Sequence, residues 1–275
     1  MHRACPLCGT DNGTQPVLSY SREPWQLKHC ADCAFVYLEN AVPYEELIAN
    51  FAWTKTFQKE RQRRRQQQPL ITVVSSAWKR LRHRFIKRDK GSQLIGSCVG
   101  RGRLLDIGCG NGPMLRKLSD AFTPFGIDID AEAARQCAEF VAARGGQAWH
   151  NDAISGLIAL SPDAFDGVLM QAYLEHEIEP RRVLAEVLRV LRPGGRAIIK
   201  VPNFACFNRR LRGGNWNGFR FPDHVNHFTP ETLARMVLET GFDVARFRFN
   251  DRTPTSDNMW LVAEKPQPAA RQYAA

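Results

Sequence analysis

Three groups of residues have types and spacings that can do chemistry. The first is sulfur. Cys5-x-x-Cys8 and Cys30-x-x-Cys33 are two pairs 21 residues apart, each beside Pro, Gly or Asp as in paired knuckle turns. Four thiolates at this spacing can close a tetrahedron around zinc at ~2.3 Å per sulfur, and such a site leaves no position for catalysis. Two disulfides or free thiols are the other readings, and a reducing compartment argues against the disulfides. The second group is Leu104-Leu105-Asp106-Ile107-Gly108-Cys109-Gly110-Asn111-Gly112. Glycine is needed where backbone must turn sharply and come close to a ligand. The order D-x-G-x-G-x-G, with Pro113 next, is not the G-x-G-x-x-G that sets a helix N-terminus on a pyrophosphate. An acid two residues ahead of the first glycine suits a ligand that carries a cation. The third group is histidine: His176, and His224 with His227 beside Asp223. A neutral histidine can take the proton from a hydroxyl as that hydroxyl attacks carbon. A hydrogen-bonded structural role is the alternative for His176. The His224–His227 spacing also fits a metal, but lacks a firm third ligand.

These residues must be positioned by an alternation of strands and helices. Strands are expected at Arg103–Ile107, Thr123–Asp128, Gln147–His150, Gly167–Met170, Arg196–Val201, Ala245–Phe249 and Trp260–Glu264. A helical pattern begins at Met114. The clearest helix is Pro180 to Leu191, with proline at its start and an apolar stripe of Val183, Leu184, Val187, Leu188 and Leu191. Gly194-Gly195 ends it. Thr229-Pro230 opens another that runs to Gly241. Between them, Asn203–Phe228 is longer than a plain connection, rich in aromatic and arginine side chains, and so a candidate functional loop. Cys98, Cys109, Cys137 and Cys206 are scattered and are expected to be small buried residues.

Four motifs arrive in order: the Asp106–Gly112 turn; Phe125-Gly126-Ile127-Asp128-Ile129-Asp130; Asn151-Asp152-Ala153; and Glu186 to Gly195, running into a strand. Over residues 95–264 the chain resembles the seven-stranded S-adenosylmethionine-dependent methyltransferases. The resemblance implies a doubly wound α/β fold with a mostly parallel seven-stranded sheet. It implies that Asp106, Gly108, Cys109 and Gly110 bound the methionine end of the cofactor, Asp106 acting through water or backbone. Asp128, 22 residues after Asp106, would accept from both ribose hydroxyls. Ile129 would cover the adenine, Asp152 would accept from its amine, and the Ala153 amide would face a ring nitrogen. Asp130 is expected to cap the following helix. Gln171 opens the loop Gln171–His176, which in the family borders the methyl sulfonium and the acceptor. The N/D-P-P-Y/F tetrad of exocyclic-amine methylases does not stand there. The cysteine segment resembles the ribbon found ahead of many bacterial methyltransferases, with an aromatic strand (Phe35-Val36-Tyr37) and a piece, Tyr44 to Phe57, that lies over the cofactor cleft. Trp53 and Phe57 are therefore either lid residues or packing between ribbon and core.

Composition sets the remaining bounds. The 275 residues, 44% hydrophobic and 24% charged, are those of a globular protein. No apolar run reaches the ~20 residues of a membrane span. No apolar leader is read at Met1, so a cytoplasmic protein is expected. The net charge of +10 is concentrated: residues 55–90 hold 13 Lys/Arg against Glu60 and Asp89. Within them Trp78, Leu81 and Phe85 form one helical stripe with a basic back. That segment is read as a docked helix, with nucleic acid, an anionic membrane surface or a phosphorylated substrate as other possible partners.

The expected organisation is a zinc ribbon over 1–40, a basic helical lid or linker over 41–95, a methyltransferase domain over 96–265 and a disordered tail over 266–275. The expected function is methylation, on oxygen first, of a small molecule such as a sugar, a glycan precursor or a secondary metabolite. His176, His224 and His227 are the candidate bases. A zinc-ribbon RNA methyltransferase and a membrane-surface scaffold are the rivals. Sugar C-methyltransferases share such a ribbon but continue into a further domain, which this sequence is not expected to have.

Overall fold

The structure, a computed structural model, describes residues 2–42, 62 and 89–268. Its main sheet is built from strands whose apolar runs leave no polar face. β3 (Gly102–Ile107), β4 (Phe122–Asp128), β5 (Gln147–His150), β6 (Phe165–Gln171) and β7 (Leu191–Pro202) pair in parallel. β10 (Asn258–Glu264) runs antiparallel between β7 and β9 (Asp243–Arg246), giving the order β5-β4-β3-β6-β7-β10-β9. Successive side chains on a strand face opposite ways. Leu105, Val168 and Ile199 accordingly enter one buried cluster, and their neighbours Leu104, Leu169 and Ile198 enter another. α4 (Pro180–Val190) and α6 (Pro230–Glu239) cover the first face through Val183, Val187, Leu233 and Met236. α2 (Ala131–Ala142) and α1 (Lys90–Leu94) cover the second through Cys137, Val141 and Leu94. A sheet sheltered on both faces can be parallel throughout its centre.

The expected seven-stranded, mostly parallel fold is present, with four local differences. The pattern from Met114 yields only a single 3-10 turn, Leu115–Lys117. Gly112-Pro113 on one side and the start of β4 at Phe122 on the other leave too short a window for a nucleated α-helix. The strand expected at Ala245–Phe249 lies two residues earlier, because Phe249 begins a 3-10 turn. Gly194-Gly195 lies within β7 as a register shift, and α4 stops at Val190. Of the scattered cysteines, Cys109, Cys137 and Cys206 are buried but Cys98 is half-buried. Asp130 caps α2, accepting from the Ala133 amide at 2.9 Å, as expected. The lid candidates Trp53 and Phe57, the stripe Trp78, Leu81 and Phe85, and the tail beyond Pro268 lie outside the described residues. No helix among the described residues is long and apolar enough to cross a membrane.

A second sheet joins the N-terminal cysteine segment to the long insertion. β1 (Leu27–His29) pairs with β2 (Val36–Leu38), and β2 pairs with β8 (Asn226–His227) from the long insertion. The insertion also carries the short helix α5 (Phe207–Arg212). Cys5, Leu7, Phe35 and Tyr37 share their buried cluster with the main sheet. The cysteine segment is thus packed into the body of the protein on one side and into the insertion on the other.

Candidate functional site

The loop after β3 is shaped by backbone conformation. Gly108, Gly110 and Gly112 all have positive φ, of 74°, 53° and 82°. A Cβ at Gly108 would meet the Tyr173 ring at 3.2 Å, and one at Gly112 would meet Cys137 Sγ at 3.2 Å. Gly110 faces open space instead. The loop is fastened to β4: the Gly108 amide donates to the Ile127 carbonyl at 2.8 Å, and the Gly110 amide to Asp128 Oδ2 at 2.6 Å. Asp128 Oδ1 accepts from the Asp130 amide at 2.9 Å. Asp106 is only 3% exposed. Burial first, then the nearby Cys137 and Asp128, pushes its carboxyl well above the ordinary carboxylate range.

The other expected cofactor residues line the same sheet edge. Ile129 is half-buried after β4, and its carbonyl lies 3.1 Å from His150 Nε2. Asp152 caps α3 (Ala153–Ile158) by accepting from the Ser155 amide at 2.9 Å, and Ala153 is the first residue of that helix. Gln171 ends β6. Its side-chain oxygen lies 3.1 Å from where a Cβ on Gly91 would stand, so α1 packs closely over this corner.

At the cysteine segment, Cys5 Sγ lies 3.4 Å from Cys33 Sγ, and Cys8 Sγ lies 3.4 Å from Cys30 Sγ. All four sulfurs are within 4.8 Å of one another. Sulfurs around a tetrahedral zinc sit about 3.8 Å apart, against ~2.0 Å in a disulfide. Burial raises the Cys30 thiol, but the amides of Cys33 and Asp32 and the Asn12 side chain outweigh it and bring it down to about 6. Asn12 locks the ribbon, accepting from the Ala31 amide at 3.1 Å and donating to Tyr37 at 3.2 Å.

The histidines separate. His176 and His224 come together, their rings 4.7 Å apart and perpendicular. Glu175 joins them, and one ligand atom from each of the three lies within 4.8 Å of the others. His227 does not: it sits against the Phe204 and Phe219 rings, at 5.8 and 5.2 Å. The pairing of His224 with His227 suggested by their spacing is thus replaced by one with His176. β8 explains this, since adjacent strand positions carry His227 into the ribbon sheet. The geometry fixes tautomers as well. His176 Nδ1 lies 3.0 Å from the Asp223 carbonyl and His224 Nδ1 2.8 Å from the Gly218 carbonyl. Carbonyls only accept, so each Nδ1 carries the hydrogen and each Nε2 keeps its lone pair. Burial, then the Arg220 charge, holds His176 down to about 3. Burial first, then the proximity of the His176 ring and the Arg220 charge, depress His224 as well. Burial raises Glu175 to about 8 in spite of Lys200 and Arg220.

A family model of a methyltransferase domain matches residues 64–246. The chain belongs to the methyltransferase-domain family. A ubiquinone biosynthesis O-methyltransferase of Leptothrix cholodnii is 25% identical over 62% of this methyltransferase and 77% of its own length. One from Thiobacillus denitrificans is 28% identical over 51% of this chain and 64% of its own. A bifunctional methionine biosynthesis protein MetXA/MetW of Rhodopirellula baltica is 36% identical, but over 40% of this chain and 18% of that protein. Among solved structures, the complex between the Haloferax volcanii Trm112 methyltransferase activator and the putative methyltransferase contains a chain 17% identical. It has a TM-score of 0.50 and covers 60% of this chain and 82% of that one. That likeness concerns the fold alone.

S-adenosylmethionine, the donor of this family, fits the residues present. Its sulfonium and ammonium complement the buried Asp106 carboxyl, and open space over Gly110 admits a ligand against the backbone. Sequence reasoning missed Glu175 as a partner of the two histidines. It also missed Tyr173, which lies on Gly108 and donates to Glu177 at 2.5 Å, and Lys200, whose ammonium is acted on by both Glu175 and Asp89. The one available signal was the adjacent Glu175-His176 pair at the strand exit.

Proposed function

We propose that this methyltransferase moves the methyl group of S-adenosylmethionine to a hydroxyl of a small-molecule acceptor. The acceptor would lie between the loop after β6 and the Asn203–Phe228 insertion. One observation carries the reading: Glu175, His176 and His224 gather at the exit of β6, with both histidines neutral and their hydrogens held on Nδ1. A hydroxyl that attacks carbon must lose its proton, and a neutral imidazole within reach accepts it. His176 is the base of choice, His224 supports it, and His227 is assigned to packing. The curated relatives named for O-methylation in ubiquinone biosynthesis favour oxygen over nitrogen or carbon as the acceptor atom.

On this reading Asp106 faces the positive end of the donor, and the amides of Gly108, Cys109 and Gly110 border it. The carboxylate of Asp128 has lone pairs left for the ribose hydroxyls, Ile129 covers the adenine, and Asp152 and Ala153 meet its edge. Gln171 stands beside the reacting methyl. The protein's work is alignment and exclusion of water. Residues 1–40 act as a structural zinc ribbon held by Cys5, Cys8, Cys30 and Cys33. Residues 41–95 act as lid and linker, and 96–265 as the catalytic domain. A reducing cytoplasm is the proposed location, since it keeps the four thiols free for metal.

The test is to incubate the protein with a metabolite extract and donor carrying an isotopically labelled methyl, then find the labelled product by mass spectrometry. An oxygen-methylated small molecule is expected, with His176→Ala lowering kcat while donor affinity holds. Label appearing only in RNA would overturn the reading.

A further inference from the structure

We propose that Glu175, His176 and His224 form a site for a divalent transition-metal ion of the zinc class, separate from the four-cysteine site. The inference rests on the reading of this cluster as the acceptor site, and adds what the acceptor meets there.

The donor set is the first argument. Two imidazoles and one carboxylate are the three protein ligands of many catalytic zinc sites, in which a fourth position stays open. Ligand atoms around such an ion sit about 3.4 Å apart. Here they lie within 4.8 Å, a gap that small side-chain rotations close. The second argument is orientation. Metal-binding histidines characteristically give their other ring N–H to a carbonyl or carboxylate, which fixes the tautomer. Both histidines do so, toward the Asp223 and Gly218 carbonyls.

The third argument is independent of the first two. Among the described residues, Glu175 Oε2 and His224 Nε2 are buried without a hydrogen-bond partner. Glu175 is 2% exposed and His224 4%. Buried acceptors left unpaired are costly and rare, and an ion between them satisfies both. His227 Nε2 is also unpartnered, but it sits among aromatic rings with no carboxylate in reach. Arg220 pairs with Asp223 at 3.1 Å, and with Lys200 it also acts on Glu175 through space.

An open fourth position suits the oxygen of a hydroxyl or phenol. A positive ion lowers the pKa of such a group, so it gives up its proton to solvent at neutral pH. The oxygen lone pair then forms the bond to the methyl carbon. The carbon–sulfur bond breaks and its electron pair remains on sulfur, so charge and atoms balance with no further reactant. With the ion bound, His176 Nε2 is a ligand and no longer the base proposed above, so the ion takes over activation of the hydroxyl and the proton leaves through water.

The experiment is an electron paramagnetic resonance titration of the full chain with Mn2+, which favours oxygen and nitrogen donors and does not compete for four thiolates. One saturable Mn2+ per chain is expected, displaced by Zn2+ in keeping with the order of divalent affinities. His224→Gln and Glu175→Gln should each weaken Mn2+ by about tenfold or more. Calorimetry with S-adenosylmethionine on both variants checks that they are folded. Absence of saturable Mn2+ binding to the wild type, or wild-type binding by both folded variants, overturns the site. The titration contains no acceptor. Metal binding with no oxygen-methylated product would sink the proposed function and leave the site standing, and the reverse result would do the opposite.

Discussion

Asp128 braces the glycine loop with one carboxylate oxygen and the Asp130 amide with the other. Its loss would free that backbone and, on the proposed reading, also remove the acceptor for the ribose hydroxyls. Asp128→Ala is expected to weaken S-adenosylmethionine by about 1.5–3 kcal/mol, roughly ten- to a hundred-fold, by calorimetry. His227 supplies a different readout. Burial, then Arg209, holds it down to about 3 from an ordinary 6.5. Between those values the unfolded chain binds a proton that the folded one refuses, so stability is lost as pH falls below 6.5. Urea unfolding at about pH 7.5 and about pH 5.5 should show His227→Phe escaping about 1.4 kcal/mol of that loss. The placement of Asp106, Asp128 and the four cysteines was legible because each sits in a local motif. The Glu175–His176–His224 cluster was not: His224 arrives through a long loop whose path depends on β8, and nothing in the local spacing says so.

Elements show the same division. The central strands were legible because a buried parallel sheet writes continuous apolar runs, as in Val168–Met170 and Ala197–Ile199. The helix expected from Met114 failed because periodicity does not report whether the window is long enough to nucleate. The two-residue strand β8 has no signature of its own and exists only because β2 offers it an edge. That pairing has a testable result. Cys30→Ser should release the ribbon metal, and amide exchange should then speed up together in residues 34–38 and 225–228. Residues 102–107, at the centre of the main sheet, should stay protected. On the proposed reading, donor affinity should hold while methyl transfer falls, because the insertion rests on the ribbon through β8 and the Gly108–Gly112 loop is fastened to β4 instead.

At the scale of the molecule, Arg3 ties that ribbon to the catalytic body. Its buried guanidinium donates to the carbonyls of Val225 and Ile178 at 3.2 and 2.5 Å and to Asn226 Oδ1 at 2.9 Å. Asn226 in turn donates to the carbonyls of Leu174 and Glu177, on either side of Glu175 and His176. Arg3→Ala takes the donor from the Ile178 carbonyl and from the buried Asn226 Oδ1, and should cost about 1–3 kcal/mol in denaturant unfolding. The basic stretch decides between wider partners. Changing Arg63, Arg64 and Arg65 to Gln should leave donor affinity and methyl transfer nearly unchanged if the acceptor is a small molecule. An RNA partner would instead show weaker binding in a filter assay, with a salt slope shallower by about 0.7–0.9 for each phosphate no longer neutralised.

The ribbon's third strand has a consequence in time. β2 is made early, yet the segment that completes its sheet lies about 190 residues further along. At ribosomal speeds of about 5–20 residues per second, that is a wait of roughly 10–40 s. Through that interval four cysteines are already out and able to take metal, while one edge of β2 stays open to any passing strand. The cysteine segment is therefore made well before its sheet can be finished, and closure waits for the Asn203–Phe228 insertion to be made.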